Sequence, residues 1–297
     1  MPTFKHFGKS LKNKQMKLLF NTIMLEINRW TEHHKITIPL IELLESLKKA
    51  DFNNLEIWQY HISWLSLDEV KKLKSKMNSL NMSAPVIGAY VKLHLENNEA
   101  EEMDNLIDHL ISSANILGAS IFKILPGFIP SNKLNKKTWE QSVQKIKELA
   151  DKLKANNIQL SLETHPNTMC DSKESTFRLL NDLSGVDNIG LCYQPYDEQS
   201  TEEAMQTFSE MLSHIIHIHL QNLPNANAET TTFLETGNWM DYKKLLPHML
   251  KSAKNKIFSL EFTEGIFPPE SENFDPQIVI NNAVKDRVFF NKMAEKS

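Results

Sequence analysis

The chain has 297 residues, of which 41% are hydrophobic and 24% charged, and its formal net charge is −4. That length suits a single α/β barrel with a well-buried core, and the mildly acidic balance offers no broad basic face for a nucleic-acid backbone. No run of about 18 apolar residues is present to span a bilayer, and the first residues lack the apolar stretch of a secretion signal, so a soluble cytoplasmic protein is expected. The two cysteines, Cys170 and Cys192, form no C-x-x-C pattern and read as free thiols that pack as small apolar groups.

Residues 1–17 carry Lys5, Lys9, Lys12, Lys14 and Lys17 without apolar periodicity, which predicts a solvated basic extension ahead of one barrel domain over 18–297. From Leu18 the chain alternates short apolar runs with helical stretches, the pattern of repeated βα units. Strands are expected at Leu18–Leu25, Asn54–Trp58, Pro85–Tyr90, Ser120–Leu125, Gln159–His165, Ile189–Gln194, Ile215–Gln221 and Ile257–Phe262. Helical patterns follow each one. In Trp139–Ala155, for example, Val143, Ile146, Leu149, Ala150 and Leu153 recur at helix spacing. Capping boxes are expected at Ser66 with Glu69, Asp171 with Glu174, and Ser200 with Glu203. His33, His34 and the stretch Asp104–His109 read as solvated surface.

Eight parallel strands with intervening helices can close into a (β/α)8 barrel, which removes both sheet edges. An open doubly wound sheet is the alternative, but no G-x-G-x-x-G or P-loop turn follows an early strand. Side chains alternate faces along a strand, so inward residues can be sorted by parity. In the fifth strand Ser161, Glu163 and His165 oppose Leu160, Leu162 and Thr164. In the seventh, His217, His219 and Gln221 oppose Ile216, Ile218 and Leu220, and in the eighth Ser259 and Glu261 oppose Phe258, Leu260 and Phe262. The aliphatic sets should face the helices, leaving Glu163, His219 and Glu261 inside the barrel near the carboxyl ends of its strands, where barrel active sites form. Buried carboxylates need a compensating cation. A divalent metal (Mn²⁺, Mg²⁺, Co²⁺ or Zn²⁺) suits two carboxylates and an imidazole, and the lack of thiolates argues against a structural zinc. The competing reading is a salt-bridge cluster in which Lys123 neutralises Glu163 or Glu261.

The segments Leu162-Glu163-Thr164-His165-Pro166-Asn167-Thr168, Ile218-His219-Leu220-Gln221-Asn222, Gly237-Asn238-Trp239-Met240-Asp241-Tyr242 and Leu260-Glu261 resemble the motifs of the xylose isomerase-like sugar isomerases and epimerases. The region around Glu163, and Glu56-Ile57-Trp58 followed by His61, also resemble metal-dependent 3-dehydroshikimate dehydratase. The resemblance implies a TIM barrel with Glu163, Gln194, His219 and Glu261 as metal ligands. At position 194 the family pattern has Asp followed by His three residues on, whereas this chain reads Gln194-Pro195-Tyr196-Asp197. A Gln carbonyl can ligate a hard cation but brings no charge, and Asp197 is a second residue able to reach inward. Lys123 and Gln221 stand where the dehydratase has Arg and Lys. That weakens the case for a carboxylate substrate, because Gln cannot copy the two-pronged grip of Arg.

The activity implied is removal of a proton next to a carbonyl by Glu163 or Glu261, with the metal holding the resulting enediolate. Return of the proton gives a sugar or polyol isomerase or epimerase, while loss of a neighbouring hydroxyl with acid help from His165 gives a dehydratase. A barrel that binds a polyol without converting it is a third reading. A repair nuclease of the same superfamily is disfavoured, since Leu220–Trp239 holds no Asp-x-His pair and Asp197 replaces the needed His. Substrate contacts are expected from Trp58 by stacking, and from His61, Lys123, Asn167, Asp197 and Gln221. His217 should lie deeper and support His219. The expected partner is a small-molecule sugar or polyol, with no nucleic acid and no membrane, and homo-oligomerisation is left open.

Overall fold

In the computed structural model, which describes residues 18–30, 36–93, 95, 97–226, 228–253, 255–266 and 274–297, eight parallel strands close in sequential order into a barrel. The strands are β1 (Leu18–Asn21), β2 (Asn54–Trp58), β3 (Ser83–Ala89), β4 (Ile121–Ile124), β5 (Gln159–Glu163), β6 (Ile189–Tyr193), β7 (Ile215–Leu220) and β8 (Ile257–Leu260), and β8 pairs back to β1. The intervening helices are α1 (Leu40–Lys49), α2 (Leu67–Ser79), α3 (Asn97–Leu117), α4 (Lys136–Lys154), α5 (Lys173–Asp182), α6 (Thr201–Met211), α7 (Tyr242–Ser252) and α8 (Pro276–Ala294). The predicted basic extension over 1–17 and the pair His33-His34 lie outside the described residues. Among the described residues no helix is long and apolar enough to cross a membrane.

Local chemistry accounts for where the elements start and stop. β1 is shorter than the apolar run predicts, because the Asn21 side chain accepts the Ile23 N–H at 3.1 Å and turns the chain into a 3₁₀ segment, Thr22–Leu25. Capping boxes form at Ser66/Glu69 and Ser200/Glu203 as expected. The third forms one residue later than predicted, at Ser172/Ser175, because the Asp171 carboxylate turns away to accept the Ser131 N–H at 2.8 Å and the Ser175 hydroxyl at 3.1 Å. Asp51, Asn81 and Asn157, each just past a helix end and shortly before a strand, adopt left-handed backbone. Asp and Asn tolerate that conformation better than other side chains, so the same turn returns the chain to the sheet three times.

Apolar residues form two separate groups. The larger lies between the outward strand faces and the helices, and α4 contributes Trp139, Val143, Ile146, Leu149, Ala150 and Leu153 to it. The smaller joins Leu19, Val86 and Ile121 to Ile216 and Ile257, inward residues near the beginnings of their strands, and plugs that end of the barrel. Ile216 departs from the simple alternation predicted for β7. Leu191 pairs with Ile215 and Cys192 with His217, so an irregularity skips Ile216 and lets it lie against Gly190, where an added Cβ would sit 2.7 Å from its Cγ2.

At the opposite end, the segment after β7 is pinned to the barrel. Asn222 donates to the Leu234 and Met240 carbonyls (3.1 and 2.9 Å) and accepts the Leu223 and Met240 N–H groups (3.0 and 3.1 Å). Gly237 packs directly on that carboxamide, and a Cβ there would fall 2.3 Å from Asn222 Cγ. With four hydrogen bonds fixing Asn222, neither side can yield. Asp286 of α8 holds the same segment by accepting the Leu234 N–H at 2.7 Å and the Thr263 hydroxyl at 2.6 Å.

Gly237→Ala is therefore expected to cost about 1–3 kcal/mol in a urea unfolding titration, and a loss near zero would show that the segment can shift away from Asn222. Burial lifts the Asp286 carboxyl from its ordinary 3.8 to about 7. Because the folded value lies above the unfolded one, the stability it supports is complete below about pH 4 and is lost as pH rises through about 7. Asp286→Asn, which mimics the protonated acid, should match the wild type near pH 4 and be more stable by about 1–3 kcal/mol above pH 8. Unfolding curves at the two pH values decide this, and a less stable Asn variant above pH 8 would contradict it.

Candidate functional site

Strand parity brings polar residues from five strands into the barrel interior. Glu56 from β2, Lys123 from β4, Glu163 from β5 and His217 and His219 from β7 are all buried, and Glu261 follows directly after β8 with 8% of its surface exposed. Gly88 on β3 makes this possible, since a Cβ there would lie 3.1 Å from Glu56 Oε1 and 3.3 Å from Lys123 Cε. Lys123 Nζ contacts Glu163 Oε2 at 2.6 Å. His219 stands at the centre. Its Nε2 lies 3.0 and 3.1 Å from the Glu56 oxygens, while its Nδ1 lies 3.0 Å from Glu163 Oε1 and 3.2 Å from Glu261 Oε2. His217 Nε2 is 2.8 Å from Ser259 Oγ and 3.3 Å from Glu56 Oε2, below His219 on the same face.

Burial alone would raise these carboxyls and lower the lysine and imidazoles, but their mutual contacts reverse each tendency. Glu56 is held well below the ordinary carboxylate range by His219 and His217, and Glu163 is held low chiefly by Lys123 and His219. Lys123 is held well above its ordinary value, mainly by Glu163, and the thiol of Cys192 and the surrounding carboxylates hold His219 above its own. Three carboxylates face one lysine, so two negative charges depend on protons on the imidazoles or on an added cation.

Glu163, His219 and Glu261 offer ligand atoms close enough to hold a metal ion. The residues present fit such an ion on two grounds. His219 Nδ1 and Glu261 Oε2 are buried without a hydrogen-bond partner. In addition, with an ion in place of the Nδ1 proton, donation of Nε2–H to Glu56 would leave the Nδ1 lone pair directed between the two glutamates, the carboxylate–imidazole arrangement common behind metal ligands. Two carboxylates and one imidazole suit a hard or borderline dication. Gln194 is adjacent. Its Nε2 lies 3.4 Å from Glu163 Oε1, and its Oε1 accepts from Gln221 Nε2 at 2.9 Å. A second buried group, Cys192 with His217 and His219, shares His219 and lies deeper in the barrel.

Above this cluster opens a cavity of about 1070 Å³ whose lining includes Glu163, His165, Gln221 and Glu261. His165 Nδ1–H donates to the Pro166 carbonyl at 2.7 Å, which leaves Nε2 as its basic atom. Lys123, Gln194 and His219 form the layer beneath. The other predicted substrate contacts lie elsewhere. Trp58 is buried edge-on between Tyr60 and His61, and His61 Nε2 donates to the Thr22 carbonyl at 3.0 Å, so both support the β1–β2 end. Asn167, in left-handed backbone, and Asp197 line a separate surface groove with Asp171, and the Asp197 backbone oxygen accepts Trp239 Nε1–H at 3.1 Å.

Two residues central to this geometry were not among the predicted site residues. Glu56 follows from the alternation that located Glu163, applied to Asn54-Leu55-Glu56-Ile57-Trp58, with Leu55 and Ile57 facing the helices. Arg29 lines the cavity from a 3₁₀ segment and donates to the Ile23, Met24 and Ile266 carbonyls, so no local pattern could have announced it.

A model of the xylose isomerase-like TIM barrel family matches residues 44–277. A 3-dehydroshikimate dehydratase of Bacillus anthracis is 22% identical over 194 residues, covering 64% of this chain and 69% of that protein. The crystal structure of the probable 3-DHS dehydratase AsbF from the same organism superposes with a TM-score of 0.72 at 17% identity, covering 92% of this chain and 99% of that one. D-Psicose 3-epimerase from Clostridium cellulolyticum H10, solved with D-tagatose, gives a TM-score of 0.71 at 14% identity over 94% of this chain and 99% of its own. A xylose isomerase-like TIM barrel protein from Mycobacterium smegmatis in complex with magnesium gives 0.68 at 13% identity, covering 95% and 97%. These structural likenesses are to the fold. With the family model spanning most of the barrel and its eight strands closing in order, the chain belongs to the xylose isomerase-like TIM barrel family.

Proposed function

We propose that this protein is a divalent-metal-dependent sugar or polyol isomerase or epimerase. The observation that carries the reading is the convergence of Glu163 Oε1, His219 Nδ1 and Glu261 Oε2 within 3.2 Å contacts beneath an open cavity, with the latter two atoms in no hydrogen bond. Glu163, His219 and Glu261 would hold the ion, with Gln194 able to join after rotation of its amide. A bound dication would polarise a substrate carbonyl and stabilise the negative charge that develops on its oxygen. Glu261 is assigned as the base: it faces the cavity and takes the proton from carbon adjacent to the carbonyl, and the C–H electron pair moves into the new C=C bond. Glu163, kept ionised by Lys123, is the second carboxylate of the pair. Return of the proton to the neighbouring carbon, with a hydroxyl proton moving from one enediolate oxygen to the other, gives an isomer. Delivery of a different, solvent-derived proton to the opposite face, with Glu261 passing the abstracted proton to solvent, gives an epimer.

A dehydratase is the second reading, favoured by the sequence likeness to the Bacillus anthracis enzyme. In that case the same proton abstraction is followed by departure of a β-hydroxyl, to which His165, once protonated at Nε2, gives the proton. Proton NMR of a ketose panel and of 3-dehydroshikimate in D₂O separates the two, since one incorporates deuterium and the other forms an alkene and water.

Two outcomes are expected. Glu261→Gln should keep the fold and lower solvent-proton exchange by a factor on the order of 10² or more, and exchange at the wild-type rate would remove Glu261 from the mechanism. Gln194→Asp should tighten Mn²⁺ binding by roughly tenfold or more in calorimetric titrations of the apo proteins, because it adds a negative charge beside the ligand set. Unchanged or weaker binding would show that position 194 does not act on the ion.

A further inference from the structure

The mouth of the cavity is built asymmetrically. Tyr60 and Trp64 follow β2, Tyr90 follows β3 and Phe128 follows β4, so three neighbouring strand ends place their aromatic residues along one side. Tyr60 and Tyr90 stack with centroids 6.3 Å apart, and Tyr90 lies 6.4 Å from Phe128. The run begins at the catalytic floor, where Lys123 Nζ lies 5.6 Å from the Tyr90 ring centre, and ends in solvent, with Phe128 41% and Trp64 74% exposed. The cavity, about 1070 Å³, reaches the upper range of sites that enclose drug-sized ligands and is larger than a single six-carbon sugar needs. Exposed aromatic surface on this scale is costly unless something covers it. The run lines the same cavity as Glu163 and Glu261, so a molecule seated on those carboxylates can extend over it.

We propose that this aromatic side is a subsite for a planar apolar group attached to the sugar or polyol, so that the natural substrate class is an aromatic conjugate rather than a free sugar. The inference rests on the functional reading above and narrows it. A polar head would reach Glu163 and Glu261, while a flat ring covers Tyr60, Tyr90 and Phe128. The opposite side of the mouth, which carries Gln221, Glu229 and Thr231, leaves the sugar hydroxyls polar partners.

The test uses two probes that differ only in the apolar group, phenyl and methyl β-D-glucopyranoside, titrated calorimetrically into the full-length protein and into Glu261→Gln. Phenyl glucoside is expected to bind about tenfold or more tightly than methyl glucoside in both proteins. The ratio should fall towards one in Tyr60→Leu, which keeps apolar area without a ring, and in Phe128→Ser, whose exposed position tolerates a polar residue. Equal affinities, absence of binding by either glycoside, or a preference that survives both substitutions would overturn the proposal. If light scattering finds a dimer that Trp64→Ser and Phe128→Ser convert to monomer with the glycoside ratio unchanged, the aromatic side covers a second copy and the proposal also falls. Because binding is read without turnover, failure of the isomerase reading appears separately, as proton exchange unaffected by Glu261→Gln.

Discussion

The constraint that organises this molecule is the burial of the carboxylates of Glu56, Glu163 and Glu261 within one closed sheet. Each would be costly alone. His219 makes the arrangement tenable by touching all of them, with Nε2 on Glu56 and Nδ1 between Glu163 and Glu261. Lys123 neutralises one oxygen of Glu163, and Gly88 leaves the room that Lys123 and Glu56 require. None of these contacts is local in sequence, since the Glu56–His219 pair spans 163 positions. Only a barrel that closes in register can assemble them, so the fold and the charge cluster depend on each other.

The resulting centre differs in charge from one with an acid at position 194. Gln194 offers its amide nitrogen to Glu163 and its oxygen to Gln221, forming a neutral bridge from β6 to β7. Together with Lys123, this satisfies Glu163 on both oxygens and leaves Glu261 as the less committed carboxylate. The difference between a carboxylate held on both oxygens and one with fewer contacts thus arises from neighbours, not from residue type.

Much of this was legible in the chain. Alternation in β5, β7 and β8 placed the inward residues, and helix spacing located α4, because both follow from backbone periodicity that one sequence carries in full. What escaped depends on events between elements. Ile216 turned inward because β6 and β7 slip by one residue between Leu191 and Cys192, beside the room Gly190 leaves, a feature of the pair and not of either strand. Asp171 lost its capping role to Ser172 because its carboxylate found the Ser131 amide, 40 positions away. Trp58 and His61 read as site residues from their motif, yet packing against Tyr60 and Thr22 turned them into wall. Glu56 obeys the same alternation, on β2 between Leu55 and Ile57.

Among the described residues, the plug of Leu19, Val86 and Ile121 closes one end of the barrel interior, and the cavity above Glu163 and Glu261 opens at the other. On the functional reading proposed above, an ion and a sugar that met on Glu163, His219 and Glu261 would share that opening. An ion seated on these residues would be sealed beneath a bound sugar, so saturating ligand would slow its removal by a chelator even without raising its affinity. That order of entry would follow from aliphatic side chains at the far end of the strands, remote from Glu163, His219 and Glu261.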